Sequence, residues 1–195
     1  MRCTLLTALL VQSGAFAPSS AAFAPSSASR GTTKLHAAPY ERYLDAACEA
    51  AKAAGALIRS ASTDERAVDA RKANAKDLLT KTDVACQDVA AAVLARREPA
   101  SRLLGEEDVA PGGDAARRAA EKAFSEDGLV WAVDPIDGTA NFVDAIPLSA
   151  TSVAAVECEG GTCRVVAGAV YDPYRDELFG AARGGGAWVE SKGKR

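Results

Sequence analysis

Between Ser149 and Glu190 the chain is a succession of four short β-prone runs, Ser149–Val156, Arg164–Tyr171, Glu177–Ala182 and Gly186–Glu190. They are separated by Glu159-Gly160-Gly161, Asp172-Pro173-Tyr174 and Gly184-Gly185, whose residues favour the backbone conformations of turns. Connections this short join antiparallel neighbours, because a parallel pair needs a crossover of about a dozen residues or more. A meander of this kind has two faces, and at least one must be covered.

Upstream, Leu44, Ala47, Cys48, Ala51, Gly55 and Ile58 recur at helical spacing and predict an amphipathic helix from Glu41 to about Ser60. A second helix is predicted from Asp83 to Arg97, with Thr82 or Asp83 as its cap and Val84, Val89, Ala92 and Val93 turned inward. Asp77-Leu78-Leu79-Thr80, between the two, predicts a short strand. Leu129–Val133 predicts another, ending at Asp134, and Pro111–Glu126 predicts a loop with a helical piece. Two helices against a largely antiparallel sheet make an α+β layered domain.

At 195 residues and 48% hydrophobic the chain suits one buried domain and a short extra segment. Residues 1–40 hold Arg2, Arg30 and Lys34 but no acid, so the body is more acidic than the overall net charge of −3. That balance is a poor match to nucleic acid and suits a protein that concentrates cations. Cys48, Cys86, Cys158 and Cys163 lack paired metal-ligand spacing, and reduced thiols are expected. Cys158 to Arg164 has the Cys-x5-Arg spacing of a cysteine phosphatase loop, but lies between two β-prone runs, so Gly160-Gly161 is expected to be a hairpin turn.

Residues 1–39 are expected to be a leader, and 40–195 the folded unit. Met1-Arg2, the apolar Leu5–Val11 and the small residues Ser13-Gly14-Ala15 have the form of a signal peptide. Ala15-Phe16-Ala17-Pro18 then recurs as Ala22-Phe23-Ala24-Pro25, ahead of a Ser-rich stretch without acids. This resembles the two-part plastid leaders of algae with secondary plastids and implies a plastid protein; simple secretion is the alternative. No bilayer-spanning run is expected in the body.

The segment richest in chemistry is Trp131-Ala-Val-Asp134-Pro-Ile-Asp137-Gly-Thr139-Ala-Asn-Phe142. Two carboxylates three residues apart, with a proline restricting the backbone between them, can turn Asp134, Asp137 and the Ile136 carbonyl toward one point. Such hard oxygen ligands suit Mg²⁺. An Asx turn closing a strand has the same residues, and the spacing alone leaves both readings open.

Asp-Pro-Ile-Asp-Gly-Thr-x-Asn-Phe resembles the signature of the inositol monophosphatase family, and three further segments follow that family's order. Gly105-Glu106-Glu107 resembles its acidic metal motif; Lys72, Asp77-Leu78 and Thr80-x-Thr82-Asp83 its upstream lysine and strand; Gly168-Ala-Val-Tyr171-Asp-Pro, Glu177-Leu-Phe179 and Gly184-Gly-Gly186-Ala187 its central strands. The resemblance spans Leu44 to Val189 and implies the layered fold shared with fructose bisphosphatases. It implies metal ligation by Glu106, Asp134, the Ile136 carbonyl and Asp137, with Mg²⁺ or Mn²⁺ as cofactor. Gly138 and Thr139, beside Asp137, would present N–H groups to phosphate at a helix start. Thr139, oriented by Asp83, would help hold the attacking water, Glu107 would stand behind the ligands, and Lys72 would lie near the site.

The implied reaction is direct hydrolysis of a phosphomonoester by metal-activated water, inhibited by lithium, with myo-inositol monophosphate the first substrate to consider. Galactose 1-phosphate and histidinol phosphate are alternatives, as is an inactive metal-binding remnant. The implied partners are a small phosphomonoester and, for a full-length chain, a second copy; neither nucleic acid nor, once the leader is removed, a membrane is expected. His36, in the leader, is the only histidine, so the body cannot run histidine-based phosphatase chemistry. Nothing after Val189 resembles the family's second lobe or its Trp-Asp-x-Ala-Ala-Gly motif, and a carboxy-terminal lobe is expected to be lacking.

Overall fold

The computed structural model describes residues 39–63, 65–110 and 113–195, without the side chains of 63–80. The predicted leader, but for Pro39, lies outside the described residues, as does the Lys72 side chain. In chain order the elements are α1 (Glu41–Thr63), α2 (Glu65–Arg97), β1 (Arg102–Gly105), a 3₁₀ turn (Glu106–Asp108), α3 (Gly113–Ala123), β2 (Gly128–Asp137), α4 (Thr139–Val143), β3 (Ala150–Glu159), β4 (Thr162–Asp172), β5 (Glu177–Ala182) and β6 (Gly186–Ser191). The six strands form one sheet in sequence order, β1 parallel to β2 and every later pair antiparallel.

Helix α1 covers one face of that sheet. Leu44, Ala47, Ala51, Ala54 and Ile58 are buried against Val153, Ala155, Ala167, Ala169 and Leu178. So many alanines let the helix come close, and at Gly55 an added Cβ would lie 2.4 Å from the Tyr171 ring. That ring is itself buried, and its hydroxyl donates to Asp176 at 2.9 Å. Alanine normally gains up to about 1 kcal/mol over glycine inside a helix. Overpacking a close-packed core costs about 1–3 kcal/mol, so Gly55→Ala is expected to lower the urea midpoint. A stabilised variant would show that α1 can lift off β4 at little cost.

Helix α2 differs from expectation in three ways. It runs through Asp77–Thr80, where a strand was expected, because Glu65 to Arg97 contains neither glycine nor proline and four residues are too few to distinguish a strand from part of a helix. Thr82 and Asp83 are therefore buried in the helix interior rather than capping it. The inward face carries Asp83, Cys86, Gln87, Ala90 and Leu94, whereas Val84 is 43% exposed and Ala92 faces outward.

The expected reduced state fails for one pair: Cys158 and Cys163 form a disulfide. Gly160 and Gly161, at φ +57° and +75°, make the two-residue turn joining β3 to β4. That turn fixes the register so that Cys158 lies directly opposite Cys163, their Cα atoms 4.0 Å apart. The Cys-x5-Arg segment is thus a hairpin with its thiols consumed. Cys48 and Cys86 are free among the described residues. On the sheet's other face α3 covers Leu104, Val130, Val156 and Cys158, while Val170, Phe179 and Val189 stay exposed. No helix among the described residues is long and apolar enough to cross a membrane.

Candidate metal and phosphate site

Strand pairing brings the acidic motifs together. β1 and β2 run parallel with Gly105 opposite Val133, so Glu106, the first residue after β1, comes out beside Asp134, which continues in β2. Asp134 and Asp137 would face opposite sides of a regular strand. Here the register passes from Asp134↔Ser152 to Asp137↔Ala150, three steps on β2 against two on β3. That extra residue is a β-bulge, and it returns both carboxylates to one side. Thr151 holds the bulge by donating from its buried hydroxyl to the Pro135 carbonyl at 3.0 Å.

Asp134 is strongly perturbed. It is 8% exposed, and its Oδ1 has no hydrogen-bond partner. Burial, then the charge of Glu106 and a hydrogen bond with that residue, then Asp137 and Asp83, push its pKa up to about 9. A buried carboxyl with an orphaned oxygen among like charges is costly unless protonated or paired with a cation. The donor set, all hard oxygens with no thiol or imidazole, fits Mg²⁺ or Mn²⁺. As placed, no three acidic, thiol or imidazole side chains among the described residues close on one point.

The chain then turns sharply. Gly138 adopts φ +87°, where an added Cβ would lie 2.8 Å from the Leu148 carbonyl oxygen. Helix α4 starts at Thr139, and buried Phe142 anchors it in the core. The Thr139 hydroxyl donates to the Ile136 carbonyl at 3.0 Å, so its proton is directed there rather than at Asp83. Asn141 donates its side-chain amide to Leu148 O at 2.7 Å and closes the loop behind the turn. Asp137, Gly138, Asn141, Ser149 and Asp172 line a cleft of about 280 Å³ beside it.

The structure therefore brings Glu106, Asp134 and Asp137 to one end of the sheet, with Asp83 facing them from α2. Glu107 is half-buried, and its backbone N–H donates to Gln87 Oε1 on α2 at 3.0 Å. Sequence reasoning missed Gln87. Its signal was the spacing from Asp83, four residues and one helical turn, which puts both on one face.

The acidic side chains of β1's exit and β2 thus gather beside a glycine turn at one end of a helix-backed sheet. The sequence model of the inositol monophosphatase family matches residues 40–195, and the chain belongs to that family. It is 36% identical over 152 residues to inositol monophosphatase 3 of Solanum lycopersicum, covering 78% of this chain and 52% of that protein. It is 35% identical over 159 residues to human inositol monophosphatase 2, covering 81% and 50%. Among solved structures, CysQ from Bacteroides thetaiotaomicron, described as a bacterial member of the family, superposes with TM-score 0.61 at 28% identity, covering 78% and 50%. The chain spans about half the length of the curated relatives it matches.

Proposed function

We propose that this chain supplies the metal-binding part of a magnesium-dependent phosphomonoesterase whose first substrate is myo-inositol monophosphate. The observation that carries it is Asp134, a buried carboxyl with an orphaned oxygen beside Glu106 where β1 ends against β2. Glu106, Asp134, Asp137 and the Ile136 carbonyl would hold the metal. When bound, Mg²⁺ lowers the pKa of a coordinated water and offsets charge that builds on phosphate oxygens. The Thr139 hydroxyl, donating to the Ile136 carbonyl, fixes that carbonyl's direction and leaves its own lone pairs for a water proton. The turn at Gly138 presents the start of α4 to the phosphate, and buried Asp83 keeps the region electronegative.

The test is phosphate release from inositol 1-phosphate by the 195-residue chain, with galactose 1-phosphate and histidinol phosphate alongside. Little release is expected from this chain by itself; in a chimera that adds a relative's second lobe, magnesium-dependent release is expected, and Asp137→Asn should slow it roughly 10³-fold, since each tenfold corresponds to about 1.4 kcal/mol of lost transition-state stabilisation. Release unaffected by chelation or by the substitution would refute the reading.

A further inference from the structure

Gly105 precedes the 3₁₀ turn Glu106–Asp108, and no side chain of its own caps that turn. The leading N–H groups of any helical turn lack partners within it and need an outside acceptor. Gln87, on α2 and 6% exposed, supplies one: its Oε1 accepts the Glu107 N–H at 3.0 Å. The fit depends on glycine, because a Cβ at residue 105 would lie 2.2 Å from that oxygen and 2.4 Å from the Gln87 Cδ. Asp83, one turn earlier on the same helix face, is 5% exposed and acts electrostatically on Asp134.

We infer that Gln87 is a positioning residue for the metal site: it caps the Glu106–Asp108 turn from α2 and so fixes the direction in which Glu106 meets Asp134. Without that acceptor the turn loses this tie to the helix, and the Glu106 carboxylate is free to rotate away from Asp134. Groups that orient a metal ligand typically change affinity by roughly 10- to 100-fold when removed. The inference rests on the metal-binding reading above and concerns binding, not turnover.

The experiment titrates Mn²⁺ into the full chain and follows free Mn²⁺ by electron paramagnetic resonance, with unfolding of each metal-free protein measured in parallel. Gln87→Met keeps length and bulk but has no oxygen, and should weaken Mn²⁺ binding roughly 10- to 100-fold. Gln87→Glu keeps an acceptor oxygen and should restore affinity to within about threefold of wild type, which a purely structural role would not require. If Gln87→Met does not fold, Gln87→Asn, one methylene short of Glu107, decides by the same criterion. A folded variant without the acceptor that binds Mn²⁺ within about twofold of wild type overturns the inference and leaves the metal reading standing. Wild-type protein showing no saturable binding that Asp134→Asn removes brings down both.

Discussion

Asp134→Asn is expected to abolish measurable Mn²⁺ binding and, in the same protein, to remove the pH dependence of metal-free stability across neutrality. The two effects share one cause. The folded-state pKa is raised from 3.8 to about 9, so between those values the folded protein holds a proton that the unfolded chain has released. Stability falls with rising pH wherever the native state binds more protons. The contribution is therefore complete below 3.8, declines through neutrality, and is lost as pH rises through the folded pKa.

Near pH 7 the slope from this one group approaches about 1.4 kcal/mol per pH unit, so urea unfolding in chelator between about pH 5 and pH 8 should lose a few kcal/mol. Asparagine is neutral throughout and should flatten that curve. Saturating Mg²⁺ should flatten it in wild type as well, because metal binds the deprotonated carboxylate, and binding near pH 7 should release up to about one proton. Calorimetry in two buffers of different ionisation enthalpy measures that release. A wild-type curve as flat as that of Asp134→Asn would mean that the Asp134 carboxyl is hydrated rather than desolvated.

The parts of this molecule legible in the sequence are those set by local chemistry. The four strands after Ser149 were readable because glycine and proline mark their ends, and the first helix because its alanines keep a strict period. Asp77–Thr80 was misjudged because four residues are too few to show a period, and only the glycine- and proline-free stretch from Glu65 to Arg97 decides for helix. The Cys158–Cys163 pairing follows from a register that spacing alone does not fix. At the site the acidic residues were named by their motifs, but their meeting depends on the parallel pairing of β1 with β2 and on one bulge. Gln87 shares a helix face with Asp83, but its contact with the Glu107 N–H depends on a glycine eighteen positions away, whose missing side chain makes room for it.

The second large effect is expected at Gly138, where backbone shape and function meet. At φ +87° a side-chain-bearing residue meets its own carbonyl, a cost of roughly 1–2 kcal/mol before any neighbour is considered. The neighbour then adds more: the Cβ of Gly138→Ala would stand 2.8 Å from Leu148 O and 3.3 Å from Ser149 Cα, both backbone atoms. Leu148 O already accepts the Asn141 amide at 2.7 Å, and Ser149 is buried with its hydroxyl in hydrogen-bond contact with Tyr174 at 3.1 Å. The opposing wall therefore cannot retreat without breaking those contacts, so the turn itself must open. A total cost of about 2–4 kcal/mol follows, which at roughly 2–4 °C per kcal/mol lowers the melting temperature by about 5–15 °C. Opening the turn also swings the start of α4 away from Asp137, so inorganic phosphate should no longer protect the metal-loaded variant against thermal unfolding, while Mn²⁺ binding through Asp134 and Glu106 weakens far less. Phosphate protection equal to that of wild type, in a folded Gly138→Ala protein, would place the anion elsewhere than at this turn.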